Sequence, residues 1–137
     1  MLQISKRVEY ALIAVRHLAV QPLGTVVTAK DLAEHYHISF ELMAKVLQRL
    51  TKEGLLSSLQ GVKGGYALSR KPGEIPLLEI LNAIEGKPNV AVVQCEAENP
   101  ETCSIHSTCT IRSPLVRIQD DINSIFQHMT VSQLVSS

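Results

Sequence analysis

The order in which helix and hairpin patterns follow one another along the chain constrains its fold most. Apolar residues recur every three or four positions over residues 8–19, around Leu32 and over residues 42–50, which predicts three amphipathic helices. A hydroxyl residue that can cap a helix precedes each stretch, and these residues are Ser5, Thr28 and Ser39. The glycine-rich segment 61–65 then joins two short apolar runs, which is typical of a β-hairpin. Three helices followed by a hairpin predict a winged helix-turn-helix.

Two further helices are predicted beyond the hairpin, with a long irregular segment between them. Pro76 can open a fourth helix that Gly86 ends, and the Ser113-Pro114 pair can open a long helix that runs to about His128. A last short helix is expected near Thr130. The intervening residues show little periodicity, and loops longer than about 12–15 residues in a compact domain are usually functional or disordered.

Charge is distributed unevenly along the chain, although its net value is zero. Residues 1–73 carry ten Lys and Arg against five Asp and Glu, whereas residues 74–137 carry three against eight. A basic half is expected where a chain meets a polyanion, although an ordinary solvated face can have the same composition. The charge pattern alone therefore leaves both interpretations open.

The third predicted helix and the hairpin tip carry polar side chains suited to DNA. If the apolar face of that helix packs inward, its other face can contact base edges or phosphates of double-stranded operator DNA. The candidate DNA-binding residues are Ser39, Glu41, Lys45, Gln48, Arg49, Lys52, Gln60 and Lys63. Together with the basic half and the order of elements, they favour DNA binding over a helical domain with an incidental hairpin.

Several other classes of protein are disfavoured. The glycine-rich turn lacks the G-x-x-x-x-G-K-[ST] spacing and precedes a strand, which argues against nucleotide binding. No apolar run is long enough to span a membrane, and no signal segment opens the chain. No paired carboxylates or nucleophile–base pattern suggest an enzyme or a small-molecule substrate. The odd number of Cys suits a reducing cytoplasm.

All three cysteines lie in the irregular segment. Cys95, Cys103 and Cys109 are spaced C-x7-C-x5-C among polar residues, and His106 lies midway between the last two. Thiolates suit iron–sulfur clusters or zinc, but the C-x2-C knuckles of structural zinc sites are missing. The spacing favours a cluster with a fourth ligand from elsewhere. The alternative is a thiol redox switch or a zinc site. An iron–sulfur electron carrier is a remote alternative, because a carrier would need neither the hairpin nor the basic half.

The chain resembles the Rrf-type family of bacterial transcription regulators, which includes IscR-like and NsrR-like iron–sulfur proteins. The resemblance covers nearly the whole chain, and the G-x-x-G-G-Y wing together with the three-cysteine loop is its most specific part. The matching stretches are residues 4–6, 10–11, 31–33, 38–39, 50–54, 61–66, 103–109 and 130–135. The resemblance implies a homodimer built on the long C-terminal helix.

The resemblance also implies a 2Fe–2S or 4Fe–4S cluster held by the three cysteines close to the start of helix one, often helix one of the partner subunit. In some members an acid just before the aromatic-Ala pair of helix one is the non-Cys ligand, and Glu9 occupies that position here. IscR-like members use a His three residues after the last Cys, where this chain has Arg112, which cannot bind a metal. Glu9 is therefore the first choice for the fourth ligand and His106 the second.

Taken together, the sequence predicts a mainly α protein with a winged helix DNA-binding domain at residues 1–86. A cluster-binding loop follows at residues 87–112, and a dimerisation helix with a C-terminal tail at residues 113–137. The expected function is transcription regulation in response to redox, iron or nitric oxide status. The x7 spacing, longer than the x5 common in IscR-like and NsrR-like members, leaves the cluster type open. Gln60, where some relatives have Arg, predicts weaker minor-groove insertion or a different site preference.

Overall fold

The computed structural model describes residues 3–86 and 110–136. The helices of these residues are α1 (Lys6–Ala19), α2 (Ala29–Tyr36), α3 (Phe40–Lys52), α4 (Leu77–Glu85), α5 (Arg112–His128) and α6 (Val131–Ser136). The strands are β1 (Leu56–Leu59) and β2 (Gly65–Leu68), and a short 3₁₀ turn covers Pro72–Glu74. The predicted mainly α fold with a two-stranded wing is confirmed.

Three of the predicted N-caps form as expected. The side chains of Ser5, Thr28 and Ser39 each accept a hydrogen bond from the backbone N–H three residues further on, at distances of 3.3, 3.0 and 3.4 Å. Each bond satisfies one of the amide donors that a helix leaves unpaired in its first turn. At the C-terminal end of the fourth helix, Gly86 adopts the left-handed conformation that often ends a helix, with φ +70°. The prediction that the Ser113-Pro114 pair caps and opens the long helix is wrong, because that helix begins at Arg112 and its N-cap residue, Ile111, has no polar side chain to cap it.

One apolar core joins the helices. The apolar faces of α1, α3 and α4 meet in it, and Val131 of α6 lies fully buried beside them. The largest side chains excluded from solvent are Leu32, Met43, Leu47, Leu50, Leu55, Ile75, Ile80, Val15 and Val131. The periodicity of the sequence predicted most of these inward faces, because burial of one stripe of a helix requires apolar residues at that spacing.

The hairpin is anchored to the segment before α2. Its strands pair antiparallel from Leu56 opposite Leu68 to Leu59 opposite Gly65. The backbones of Val27 and Tyr66 exchange two hydrogen bonds, of 2.9 and 2.8 Å. Gly65 is required at this contact, because a Cβ there would lie 2.8 Å from the Val27 carbonyl oxygen. The wing is therefore fastened to the helix-turn-helix rather than free.

The C-terminal helices pack against earlier parts of the chain. Leu77 N–H donates to Met129 O at 2.8 Å, and Val131 N–H donates to Ile75 O at 3.0 Å. The Arg16 side chain of α1 donates to the carbonyl of Leu134 at 3.2 Å. Residues from both ends of the sequence therefore share one folded unit.

A cluster of rings joins α1 to the end of α2. His17 Nδ1 and the Tyr36 hydroxyl are hydrogen-bonded at 2.8 Å, and the His35 ring centroid lies 5.3 Å from that of His17. Burial penalises the charged form of the His17 ring, and His35 adds repulsion between like charges. Both effects lower the pKa of His17 below its ordinary value of 6.5.

Because of the lowered pKa of His17, we expect the free energy of unfolding to be smaller in mildly acidic solution. A histidine whose pKa is lower in the folded state takes up a proton on unfolding, so the free energy of unfolding decreases as pH falls through about 6.5. We expect urea unfolding to give a shallower dependence on pH between 7.5 and 5.5 for His17→Gln than for the wild type. His35→Gln, which removes one of the two causes, should reduce the dependence in part. Equal slopes for His17→Gln and wild type would contradict the assignment.

Candidate nucleic-acid interface

A tight turn between α2 and α3 sets the angle between these two helices. His37 adopts a left-handed conformation, with φ 56° and ψ 45°, and its N–H donates to the Ala33 carbonyl. The next amide, from Ile38, donates to the same carbonyl at 2.9 Å. A residue other than glycine with positive φ is uncommon, and His37 is the one case among residues 3–86 and 110–136. The turn ends α2 and starts α3 after the cap Ser39, as a helix-turn-helix requires.

The two faces of α3 differ sharply. Met43, Val46, Leu47 and Leu50 lie buried in the core. The opposite face is exposed and carries five of the predicted DNA-binding residues, which are Ser39, Glu41, Lys45, Gln48 and Lys52. Their exposure is what contact with base edges and phosphates requires; the contact itself stays a prediction.

Arg49 departs from the predicted placement on that face. Its side chain is half-buried, and its Nε donates a 2.7 Å hydrogen bond to the Ala83 carbonyl in the last turn of α4. The last carbonyls of a helix lack partners within the helix, and a cation there also interacts favourably with the helix dipole. Position 49 lies three residues after buried Val46 and beside buried Leu50, at the edge of the packed face. Arg49 therefore joins α3 to α4 instead of facing outward.

The tip of the hairpin projects Gln60 and Lys63 into solvent, as predicted. The tip is closed by a hydrogen bond of 3.0 Å from Gly64 N–H to the Gly61 carbonyl. A Cβ on Gly64 would collide with the carbonyl oxygen of Leu59, so the turn has room only for glycine there. The result is a thin, polar tip that can approach a phosphate backbone or a minor groove.

The charges on this surface are available to a polyanion. Among residues 3–86 and 110–136, three ion pairs form. They join Lys6 to Glu9, Arg7 to Glu85 and Arg70 to Glu79. None of these pairs uses the lysines of α3 or of the hairpin tip. Within the part of the chain that the structure describes, Lys45, Lys52 and Lys63 thus have no ion-pair partner.

The start of α1 is fastened to the end of α4. The hydroxyl of Ser5 donates to one carboxylate oxygen of Glu85 at 2.6 Å, and Arg7 approaches the other oxygen at 3.7 Å. Glu9, one turn further along α1, is 46% exposed and pairs with Lys6 at 3.2 Å. The predicted ligand Glu9 therefore lies on a helix that is held where the chain enters the cysteine segment.

The remaining predicted ligands, Cys95, Cys103, Cys109 and His106, lie outside the described residues. Within residues 3–86 and 110–136 no three His, Cys, Asp or Glu side chains lie close enough to hold a metal ion. The structure thus places only Glu9 of the predicted ligand set. No helix among these residues is both long and apolar enough to cross a membrane.

Two residues of this region escaped prediction from the sequence. Glu85 carried no signal, because its partners lie about eighty residues away in the chain. Phe40, the first residue of α3, is an exposed aromatic between the exposed residues Ser39 and Glu41. Its spacing, three residues before Met43 and seven before Leu47, continues the apolar stripe, so the sequence pattern suggests burial rather than exposure.

Known proteins are similar to this chain in sequence and in fold. The chain is 28% identical over 134 residues to the HTH-type transcriptional regulator NsrR of Shouchella clausii, covering 98% of this chain and 89% of that protein. It is 24% identical to the HTH-type transcriptional regulator IscR of Citrobacter koseri, covering 99% and 81%. The solved structure of CymR, described as the global cysteine regulator of B. subtilis, superposes with a TM-score of 0.78 at 26% identity, covering 99% of this chain and 98% of CymR.

These descriptions are of transcription regulators, which confirms the prediction that the protein is not an enzyme. The family model Rrf2, described as "Iron-dependent Transcriptional regulator", matches residues 4–137. That match covers both the helix-turn-helix with its wing and the C-terminal helices. The chain therefore belongs to the Rrf2 family of transcription regulators.

Proposed function

We propose that the protein is a homodimeric operator-binding regulator whose DNA affinity responds to an iron–sulfur cluster held by Cys95, Cys103, Cys109 and Glu9. One observation supports this above the others. The Ser5–Glu85 hydrogen bond holds the start of α1, and with it Glu9, at the entrance to the segment that carries the three cysteines. The relatives named NsrR and IscR and the iron-dependent description of the family point the same way.

The donor set suits such a cluster. Three thiolates are the ligands that iron–sulfur clusters use most, and the cluster supplies a redox-active centre when bound. Glu9 can provide an oxygen, because within the described residues its carboxylate is held only by an exposed ion pair with Lys6. Exposed pairs of this kind contribute little to stability, so the carboxylate is free to exchange its partner.

Binding to DNA is assigned to α3 and the wing. The exposed face of α3 would enter the major groove, with Lys45 and Lys52 beside the phosphates, while Lys63 at the hairpin tip meets the adjacent backbone. The anchoring of the wing through Val27 and Tyr66 keeps both elements in one rigid arrangement. A dimer would then place two such units about 34 Å apart, one turn of DNA.

The dimer interface is assigned to α5. This helix leaves Ile118 and Ile125 exposed, the latter at 61%. A row of large apolar residues on the outside of a helix is typical of a surface that a second copy covers. The family resemblance assigns the same helix to dimerisation.

Coupling between the two sites would run through α1. Glu9 lies in its first turn, and the buried residues Ala11, Ala14 and Val15 of the same helix pack in the core beside α3. Engagement of Glu9 would hold α1 to the cysteine segment, and its release would free α1 to shift against the recognition helix. The two states would differ in DNA affinity, and the observed affinity would depend on their relative populations.

The alternative is a thiol-redox or zinc regulator on the same scaffold, without a cluster. The structural similarity to CymR favours it, since the description of CymR as a global cysteine regulator names cysteine and does not mention iron. Two of the three cysteines could then form a disulfide, or all three could hold zinc. An electron carrier is a poorer candidate, because it would not need the polar face of α3 or the wing.

Purification without oxygen tests the cofactor. We expect wild-type protein to be coloured and to contain iron and sulfide, Cys103→Ala to be colourless with altered operator affinity, and Glu9→Ala to give a shifted spectrum or a labile cluster. Glu34→Ala, a change at an exposed acid of α2, serves as the control and should keep the wild-type spectrum. A colourless wild type that gains no iron on reconstitution would favour the thiol or zinc alternative. An unchanged Glu9→Ala spectrum would exclude Glu9 as a ligand.

A salt series separates the roles of Lys45 and Arg49. Lys45→Ala should weaken binding to every duplex and reduce the slope of log K against log salt by about 2 per dimer, about 0.9 for each lost phosphate contact. Arg49→Ala should leave this slope unchanged and lower the free energy of unfolding by about 1–3 kcal/mol, because the Ala83 carbonyl loses its donor. Lys71→Ala, at an exposed lysine outside α3 and the hairpin, is the matched control. A slope change in Arg49→Ala would contradict its assignment to the α3–α4 contact.

Sedimentation tests the dimer. Ile125→Glu adds a charge to the apolar row of α5, and we expect a monomer at concentrations where the wild type is dimeric. The helical content should persist, since Ile125 is already exposed within one protomer. Gln127→Glu adds the same charge to an exposed position of the same helix and should stay dimeric. A dimeric Ile125→Glu protein would rule out this face of α5.

A further inference from the structure

Phe40 is exposed at the point of α3 that would lie nearest the bases. It is the first residue of the helix and is 56% exposed. Single exposed apolar residues are ordinary on protein surfaces. Phe40 differs because Ser39 and Glu41, on either side of it, belong to the candidate DNA-binding set. The residues in the first turn of a recognition helix are the ones that reach base edges.

The helix repeat places a second apolar group beside Phe40. Residues four positions apart share one side of a helix, so Phe40, Ala44 and Gln48 form a row along α3. Ala44 is half-buried, and Glu41 and Lys45 are exposed next to this row. The row therefore starts with a large apolar ring and continues with a methyl group, inside a polar surface.

The ring also borders a shallow open depression of about 440 Å³. Lys30, Ala33 and Glu34 of α2 and Ile38 of the turn line its other sides. The depression is too open to enclose a small molecule, and charged residues occupy two of its lining positions. Lys45 and Lys52 are exposed on the adjoining face of α3, so the surface as a whole complements a polyanion better than it complements an apolar protein surface.

In the major groove, one base presents an apolar group. Thymine carries a 5-methyl group there, and apolar side chains such as Phe contact it. A ring in the first turn of α3 would discriminate thymine from cytosine without any hydrogen bond. This is a kind of base recognition that the polar residues of the same helix cannot supply.

We propose that Phe40 is a specificity-determining residue that contacts the 5-methyl group of a thymine in each half-site of the operator. The proposal rests on the proposed function, in that α3 must enter the major groove. It adds a residue and a base preference to that function. Burial of one methyl group, about 0.8 kcal/mol, corresponds to about fourfold in Kd.

The test removes the methyl group from the DNA and the ring from the protein. Duplexes that wild-type protein selects from a random pool are synthesised with each thymine replaced singly by deoxyuridine. At one thymine of each half-site, deoxyuridine should weaken wild-type binding about fourfold, and about fifteenfold when both half-sites are changed. Phe40→Ala should bind the thymine and deoxyuridine duplexes equally, which a double-mutant cycle measures directly.

Three further variants make the result specific. Phe40→Leu keeps an apolar contact and should retain part of the response, and Phe40→Gln should lose it as Phe40→Ala does. Leu23→Ala removes another exposed apolar side chain, 66% exposed and outside α3, and should respond as the wild type does. Melting curves verify that each variant is folded, which exposure of Phe40 leads us to expect.

The outcomes distinguish this proposal from the one on which it rests. If the wild type selects duplexes but no thymine shows a response that depends on Phe40, the methyl contact is wrong and the DNA-binding function stands. If the wild type selects no duplex under any condition, with or without reconstitution of a cluster, both proposals fail. A Phe40-dependent loss on deoxyuridine at one position per half-site supports both.

Discussion

The burial of one stripe of α3 determines most of the rest of the structure. Met43, Leu47 and Leu50 have no exposed surface, and each such side chain contributes about 1.5–3 kcal/mol by leaving water. With that stripe fixed against α1 and α4, the opposite side of α3 has to face solvent. The polar residues there are presented outward as a consequence of packing, and a helix that failed to bury its stripe could not hold them in a fixed orientation.

The packing is supplemented by a few polar bonds that converge on α4. Arg49 binds its last turn from α3, and Ser5 binds its final residue from the start of α1. The helix that precedes the cysteine segment is thus connected to the recognition helix and to α1. A change at the cysteine segment would therefore act on elements that are already joined, without any requirement for a long path through the protein.

Local signals predicted much of the fold, and long-range polar contacts account for what the sequence missed. The caps Ser5, Thr28 and Ser39, the hairpin and the apolar faces follow from propensity and period, so they could be predicted from neighbouring residues. The contact of Arg49 with Ala83 leaves no periodic pattern in the sequence. A cation at the edge of a helix face gives the same sequence pattern whether its side chain contacts DNA or another helix. The family was predictable because its wing and cysteine motifs are contiguous in the sequence, whereas the roles of Glu9 and Glu85 depend on neighbours that only the folded chain brings together.

The return of α6 to α1 has a consequence for how the protein is made. The Arg16–Leu134 hydrogen bond spans 118 residues, and Val131 fills part of the same core as α1. On the ribosome, the N-terminal helices emerge well before α6, so one side of their core stays open to water until α6 can pack against it. Contacts of such high sequence separation slow folding and prolong the exposure of apolar surface. Apolar surface of the DNA-binding part is therefore exposed until α6 packs against α1, and the complete core forms only once α6 is present.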